Sequence, residues 1–178
     1  LVSEKDVTLP SPDRREAALY QKLRALGIAW NGYVHKPVFT VGEASEVNAL
    51  QPGGHTKNLF LKDKRGGLWL VVLRDDFRLD LNGLSRKIGA PRFSFGSGEL
   101  LEATLGVPPG SVTPFALMND TAGRVSVVLD QDMLAFDPLN FHPMRNDRTI
   151  AVSPSDLLRF IADCGHAPQI VNLPETPK

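Results

Sequence analysis

Two apolar runs separated by a five-residue break constrain this chain more than any other feature. In His55-Thr56-Lys57-Asn58-Leu59-Phe60-Leu61 the residues alternate, which puts Leu59 and Leu61 on one face of a strand. Leu68-Trp69-Leu70-Val71-Val72-Leu73 is nearly continuous apolar sequence, so at least one of the pair lies deep. Asp63-Lys64-Arg65-Gly66-Gly67 supplies the turn residues of a hairpin between them. Lys57 falls on the face of Leu59 and Leu61. A buried ammonium is costly unless it is paired, hydrogen-bonded or deprotonated. Two readings follow from these residues alone: an edge-strand lysine reaching back to water, or a cation held in a pocket built by other parts of the chain.

Around this hairpin the remaining elements fall into place. Ser11-Pro12 is a helix start, with Leu19, Leu23 and Leu26 as its stripe and Gly27 as its end. A short strand is expected at Tyr33-Val34-His35. Thr40-Val41-Gly42-Glu43 has the form of a capping box, opening a helix to about Ala49 that Pro52-Gly53-Gly54 breaks. Leu81, Leu84 and Ile88 mark a helix closed by Gly89, Phe93 and Phe95 a short strand, and Ser97 caps a helix through Leu105. Strands are expected at Phe115–Met118, Val125–Leu129 and Thr149–Val152. Ser153-Pro154-Ser155-Asp156 opens a last helix, in which Cys164 shares the apolar face of Leu157 and Ile161. Short hairpins between several strands, with helices interspersed, predict a mixed α/β (α+β) domain with a curled, mainly antiparallel mixed sheet surrounded by helices. The expected organisation is a loose arm over residues 1–10, a single domain over 11–165, and a poorly ordered proline-containing tail over 166–178.

Charge is balanced overall, with 20 basic and 20 acidic residues, which argues against a basic nucleic-acid coat but not against a local patch. From Lys57 to Arg92 there are nine basic residues against four acidic ones, leaving eleven against sixteen elsewhere. Such a run is either a solvated face or a polyanion contact. A single cysteine excludes an internal disulfide and any multi-cysteine metal site. No apolar run reaches the roughly 20 residues of a membrane helix, and a cytoplasmic, monomeric protein is expected.

Several site types are missing. The chain has no phosphate-loop or dinucleotide fingerprint, and no nucleophile elbow. His35, His55, His142 and His166 are too scattered for a zinc signature, so neither a metal nor another cofactor is expected. Two loops remain. Gly110-Ser111-Val112-Thr113-Pro114 has glycine and proline at its ends, an arrangement that can aim backbone N–H groups at an anion or oxyanion; it also reads as a plain connector. Asn140-Phe141-His142-Pro143, followed by Arg145-Asn146-Asp147, reads either as a packed structural histidine or as a site.

In combination, Thr56-Lys57-Asn58-Leu59-Phe60-Leu61, Gly110-x-x-x-Pro114 and Phe141-His142-Pro143 with Asn146 resemble the YbaK/prolyl-tRNA-synthetase-associated editing-domain family. The resemblance runs from about Tyr33 to Ile161 and is closest to the free-standing members that deacylate alanyl-tRNA(Pro). It implies a mixed α/β fold and metal-free hydrolysis of a mischarged aminoacyl-tRNA. Lys57, His142 and Gly110 then match the catalytic positions. Asn58, Ser111, Val112, Thr113, Pro114 and Phe141 match the substrate-binding ones, and Arg78, Arg86 and Lys87 correspond to contacts with the tRNA acceptor stem. The implied partners are the acceptor end of a mischarged tRNA and, transiently, prolyl-tRNA synthetase. Two alternatives stay open: a deacylase for cysteinyl-, seryl- or threonyl-tRNA, and an inactive module that binds tRNA ends.

Overall fold

The computed structural model describes residues 9–177, so the expected arm over 1–10 lies almost wholly outside the described residues. The hairpin forms as its sequence requires. Strands β2 (Gly54–Asp63) and β3 (Leu68–Arg74) pair antiparallel, with Lys57 opposite Leu73 and Leu61 opposite Trp69. Asp63 closes the turn by accepting from the Arg65 and Gly67 N–H groups and from the Trp69 indole.

The sheet grows outward from both strands. Strand β5 (Val125–Asp130) lies parallel to β3, and β8 (Gln169–Val171) parallel to β5. The other edge of β2 is shared. Its first residues pair parallel with β6 (Leu139–Phe141), and its last residues antiparallel with β4 (Phe93–Phe95). Strands β7 (Arg148–Val152) and β1 (Asn31–Val34) continue antiparallel from β6. Among the described residues, four antiparallel and three parallel pairings make this the expected mixed α/β sheet.

Alternation along β2 divides the core. Phe60 faces a large cluster with Leu19, Leu70, Phe115, Phe141 and Phe160, while Leu61 faces a smaller one with Val71, Leu73, Phe77 and Leu84. Helices α1 (Pro12–Ala25) and α5 (Pro154–Asp163) cover the large cluster, and α3 (Leu81–Ile88) covers the smaller one. Thr40 and Glu43 complete the capping box of α2 (Val41–Asn48), and Ser97 caps α4 (Gly98–Leu105). Helices α1, α2, α4 and α5 start at their expected caps, and α3 is capped by Asp80.

Three expectations are corrected. Phe115–Met118 is not a strand but part of a 3-10 helix, Pro114–Asn119, that Thr113 caps. Phe115, Ala116 and Leu117 are all fully buried, and a continuous apolar run does not itself distinguish a strand from a tight helix. The first strand lies at Asn31–Val34, just before His35. The segment from His166 is ordered: β8 extends the sheet, Leu173 is buried, and Thr176 N donates to the Arg78 carbonyl. Its prolines, Pro168, Pro174 and Pro177, flank the strand and remove none of its N–H donors.

Candidate active site

The shared edge of β2 is where the fold opens. A cleft of about 520 Å3 lies against the start of β2, walled by α2, by Gly110 and Val112, and by the β6 end with His142. Lys57, Asn58, Gly110, Val112, Phe141 and His142 all line it. Ser111, Thr113 and Pro114 are buried and lie behind this wall instead of on it.

Lys57 projects toward the smaller core cluster and is half-buried. Its Nζ donates to the Phe77 carbonyl, its one side-chain hydrogen bond among the described residues. Burial lowers its pKa, and Asp75 and then Asp76, which share the cleft, act in the opposite direction. An ammonium has three donors, so two remain for a ligand. Lys57 thus lines the cleft half-buried, in a stretch of β2 that is paired on one side by β3.

His142 is set by the turn between β6 and β7. Its Nδ1 lies 2.9 Å from the Arg148 carbonyl, which can only accept, so Nδ1 carries the proton and Nε2 keeps its lone pair. Burial lowers its pKa, the Arg148 carbonyl raises it, and His35 lowers it further, leaving a neutral imidazole. The His35 ring lies 6.2 Å away and is fixed at both nitrogens, by the Lys36 carbonyl and the Thr149 hydroxyl. His142 is thus a neutral acceptor held in a defined tautomer.

The loop between α4 and the 3-10 helix turns at Gly110, whose φ of +88° suits glycine. Ser111 N is committed to the Pro108 carbonyl at 3.1 Å and is not free for a ligand. Gly110 N and Val112 N have no partner among the described residues, and both residues line the cleft, so the loop keeps these two donors beside it. The loop therefore has fewer free N–H groups than its sequence suggested.

The basic positions lie away from the cleft. Arg86 is exposed, 3.8 Å from the Asp80 carboxylate, and Lys87 donates to the Asn172 carbonyl at 2.6 Å. Arg78 follows Phe77, whose carbonyl holds Lys57. Cys164 is half-buried, its thiol pushed up to about 11 by burial. Asn140, the first residue of the second candidate loop, lines the cleft, whereas sequence reasoning missed Asp75, Asp76 and Phe39, which line it too. Only the Asp75-Asp76 doublet directly after an apolar strand offered a signal. Among the described residues no group of three or more His, Cys, Asp or Glu side chains is placed to hold a metal, and no helix is long and apolar enough to cross a membrane.

Known proteins share this architecture. The chain is 38% identical over 173 residues to prolyl-tRNA synthetase associated domain-containing protein 1 of Danio rerio, covering 96% of this chain and 94% of that protein. It is 32% identical over 157 residues to the prolyl-tRNA editing protein ProX of Acetoanaerobium sticklandii, covering 88% and 96%. A solved structure described as a candidate trans-editing enzyme for prolyl tRNA synthetase superposes with a TM-score of 0.69 over 95% of this chain and all of that one. At 19% identity it supports the fold alone. Residues 35–160, the span that carries Lys57, the Gly110 loop and His142, match the family model of the aminoacyl-tRNA editing domain, and the chain belongs to that family.

Proposed function

We propose that this protein is a trans-acting aminoacyl-tRNA deacylase that hydrolyses mischarged alanyl-tRNA(Pro) without a metal. The observation that carries the reading is the convergence of an under-partnered ammonium, a neutral imidazole and a free backbone N–H on one cleft. An aminoacyl ester needs three things from such a site. Its anionic or hydroxyl-rich ribose end must be held, which suits Lys57. Its tetrahedral oxyanion must be stabilised, which suits the Val112 N–H. The attacking water must be oriented, which suits His142 Nε2 as acceptor, with the ribose hydroxyl beside the ester able to assist. Because such esters are labile, positioning supplies much of the acceleration and no strong base is required.

Specificity follows from size. A synthetase site shaped for proline cannot strongly exclude alanine, since missing methylenes are worth only about 1–3 kcal/mol. A second site reverses this by being too small for the correct amino acid. The loop ending in buried Thr113 and Pro114, and buried Phe141, are walls that yield little. Alanyl, seryl, cysteinyl and prolyl esters on one tRNA(Pro) form the test. Rapid loss of alanine with proline retained supports the reading. Equal loss of proline overturns the size filter, and preference for cysteine moves the protein to the sister activity. Retention of every ester, with the tRNA end still bound, identifies an inactive binding module instead.

A further inference from the structure

A second groove, of about 210 Å3, opens on the far side of the Gly110–Val112 wall and shares Asn58, Gly110 and Val112 with the cleft. It lies where β2 has no neighbouring strand among the described residues, since β6 pairs there only with Gly54 and His55 and β4 begins to pair at Leu61. Hydrogen-bond direction alternates along a strand. Gly96 N donates to the Phe60 carbonyl and Lys64 N to the Arg92 carbonyl, so even-numbered residues of β2 address this edge. The backbone N–H and C=O of Asn58 therefore face the gap, and neither has a strand or loop partner among the described residues. Asn58 Oδ1 is also buried without a partner.

The groove's outer lip is Phe95, an aromatic ring 66% exposed to solvent. Next to it, Gly96 leaves no room for a side chain, because a Cβ there would meet the Phe60 ring at 2.5 Å. A bare ring at the lip, a glycine with no room for a side chain beside it, and an unpaired donor and acceptor on the strand edge are what a planar heterocycle with both hydrogen-bonding functions requires. In an aminoacyl-tRNA the group adjoining the ester-bearing ribose is the adenine of the terminal nucleotide.

We propose that this groove binds that terminal adenine, an inference that rests on the aminoacyl ester occupying the adjoining cleft. The base lies against Phe95, its exocyclic amine donates to the Asn58 carbonyl, and a ring nitrogen accepts from the Asn58 N–H. Gly110 and Val112 then divide base from ester, so one loop aligns both halves of the substrate's end.

Two measurements test it. The first is amide chemical-shift mapping of the intact protein with AMP, with ribose 5-phosphate as the control lacking a base. AMP is expected to move the Asn58, Gly96 and Gly110 amides while ribose 5-phosphate leaves Asn58 and Gly96 in place. The second compares alanyl-tRNA(Pro) with alanine methyl ester as substrates of Phe95→Ala. Removing one stacking partner should raise KM for alanyl-tRNA(Pro) about tenfold, with kcat nearly unchanged and methyl ester kinetics unaltered. Equal shifts with both ligands, or an unchanged KM for the tRNA, overturns the proposal. Base-specific shifts in a protein that hydrolyses no ester would uphold the groove and refute the deacylase reading, so the two failures are separable.

Discussion

Two regions of this protein concentrate charge, and they treat it in opposite ways. Between α1 and the turn after β6, Arg145 contacts Asp13, Glu16 and Asp147, and buried Glu16 also accepts from Arg148 and the Tyr20 hydroxyl. Every group there has opposite charge within reach, and Arg145 is held firmly protonated, above all by its hydrogen bond to Asp147. In the cleft, Lys57 has one carbonyl and His142 one carbonyl. The first network fastens α1 to the sheet. The second leaves donors and lone pairs unspent, which is costly to a fold and useful only to a ligand. Two histidines, buried His166 and half-buried His142, repeat the contrast. His166 meets the Asp120 carboxylate at 2.9 Å in the core, whereas His142 faces the cleft with no carboxylate on its ring.

If this division is right, removing the under-partnered cation should cost activity and not stability. Lys57→Ala should lose about two to four orders of magnitude in deacylation of alanyl-tRNA(Pro). Its thermal midpoint should stay close to that of the parent, since the substitution relieves a partly desolvated charge. A folded variant with near-normal turnover would sink the assignment.

The reverse substitution should give the reverse result. His166→Ala strands the buried Asp120 carboxylate, which keeps only the Arg124 and Val125 N–H groups, and should destabilise by roughly 3 kcal/mol. Burial alone would raise the Asp120 pKa, but the His166 bond and these two N–H groups outweigh it, so the net shift is downward. The stability this group contributes is therefore present above the ordinary carboxylate range and lost as pH falls through its depressed folded pKa. Chemical denaturation at neutral and acid pH reads both quantities, with turnover per folded molecule expected to be unchanged. A loss of kcat matching that of Lys57→Ala would erase the distinction between the regions.

The basic positions of the 78–87 segment should respond more mildly. If they contact phosphates, joint replacement of Arg78, Arg86 and Lys87 by alanine weakens tRNA binding and flattens its salt dependence by roughly one unit of slope for each phosphate no longer neutralised. Turnover at saturating tRNA should hold. Lys87 is already spent on the Asn172 carbonyl, so the arginines should account for most of the change. An unchanged slope would make this helix an ordinary solvated face.

Much of the contrast is legible in the sequence, though unevenly. Lys57 stands out because strand alternation carries a charge onto an apolar face, a conflict visible at single-residue resolution. Helix caps are legible for a similar reason, since Thr40 with Glu43 and Ser153 with Asp156 act within one turn. Partners supplied from a distance are not. Nothing local connects Asp120 to His166, and β8 becomes a strand because β5 offers it an edge, not through its own short sequence. The Gly110 loop shows the same limit. Its residue types announce an anion-binding turn, but which N–H points outward depends on Pro108 taking the Ser111 donor.

The smallest expected effect is also the most diagnostic, because it concerns one proton. His142 can orient water only while Nε2 is unprotonated, and Nδ1 is occupied by the Arg148 carbonyl. Burial holds its pKa below the usual 6.5, with His35 adding to the effect and Arg148 and Asp147 opposing it. A depressed folded pKa means that protonation favours the unfolded chain, so His142 also withdraws stability as pH falls below the unfolded value. The acid limb of kcat should consequently lie below pH 6.5, while a surface imidazole would place it at about that value. His142→Asn keeps a donor for the Arg148 carbonyl but has no group titrating in this range. It should lower kcat and flatten the acid limb, with KM for alanyl-tRNA(Pro) little changed. A parent limb at or above 6.5, or one that survives unaltered in His142→Asn, would assign the proton to another group and place His142 with His166 among the structural histidines.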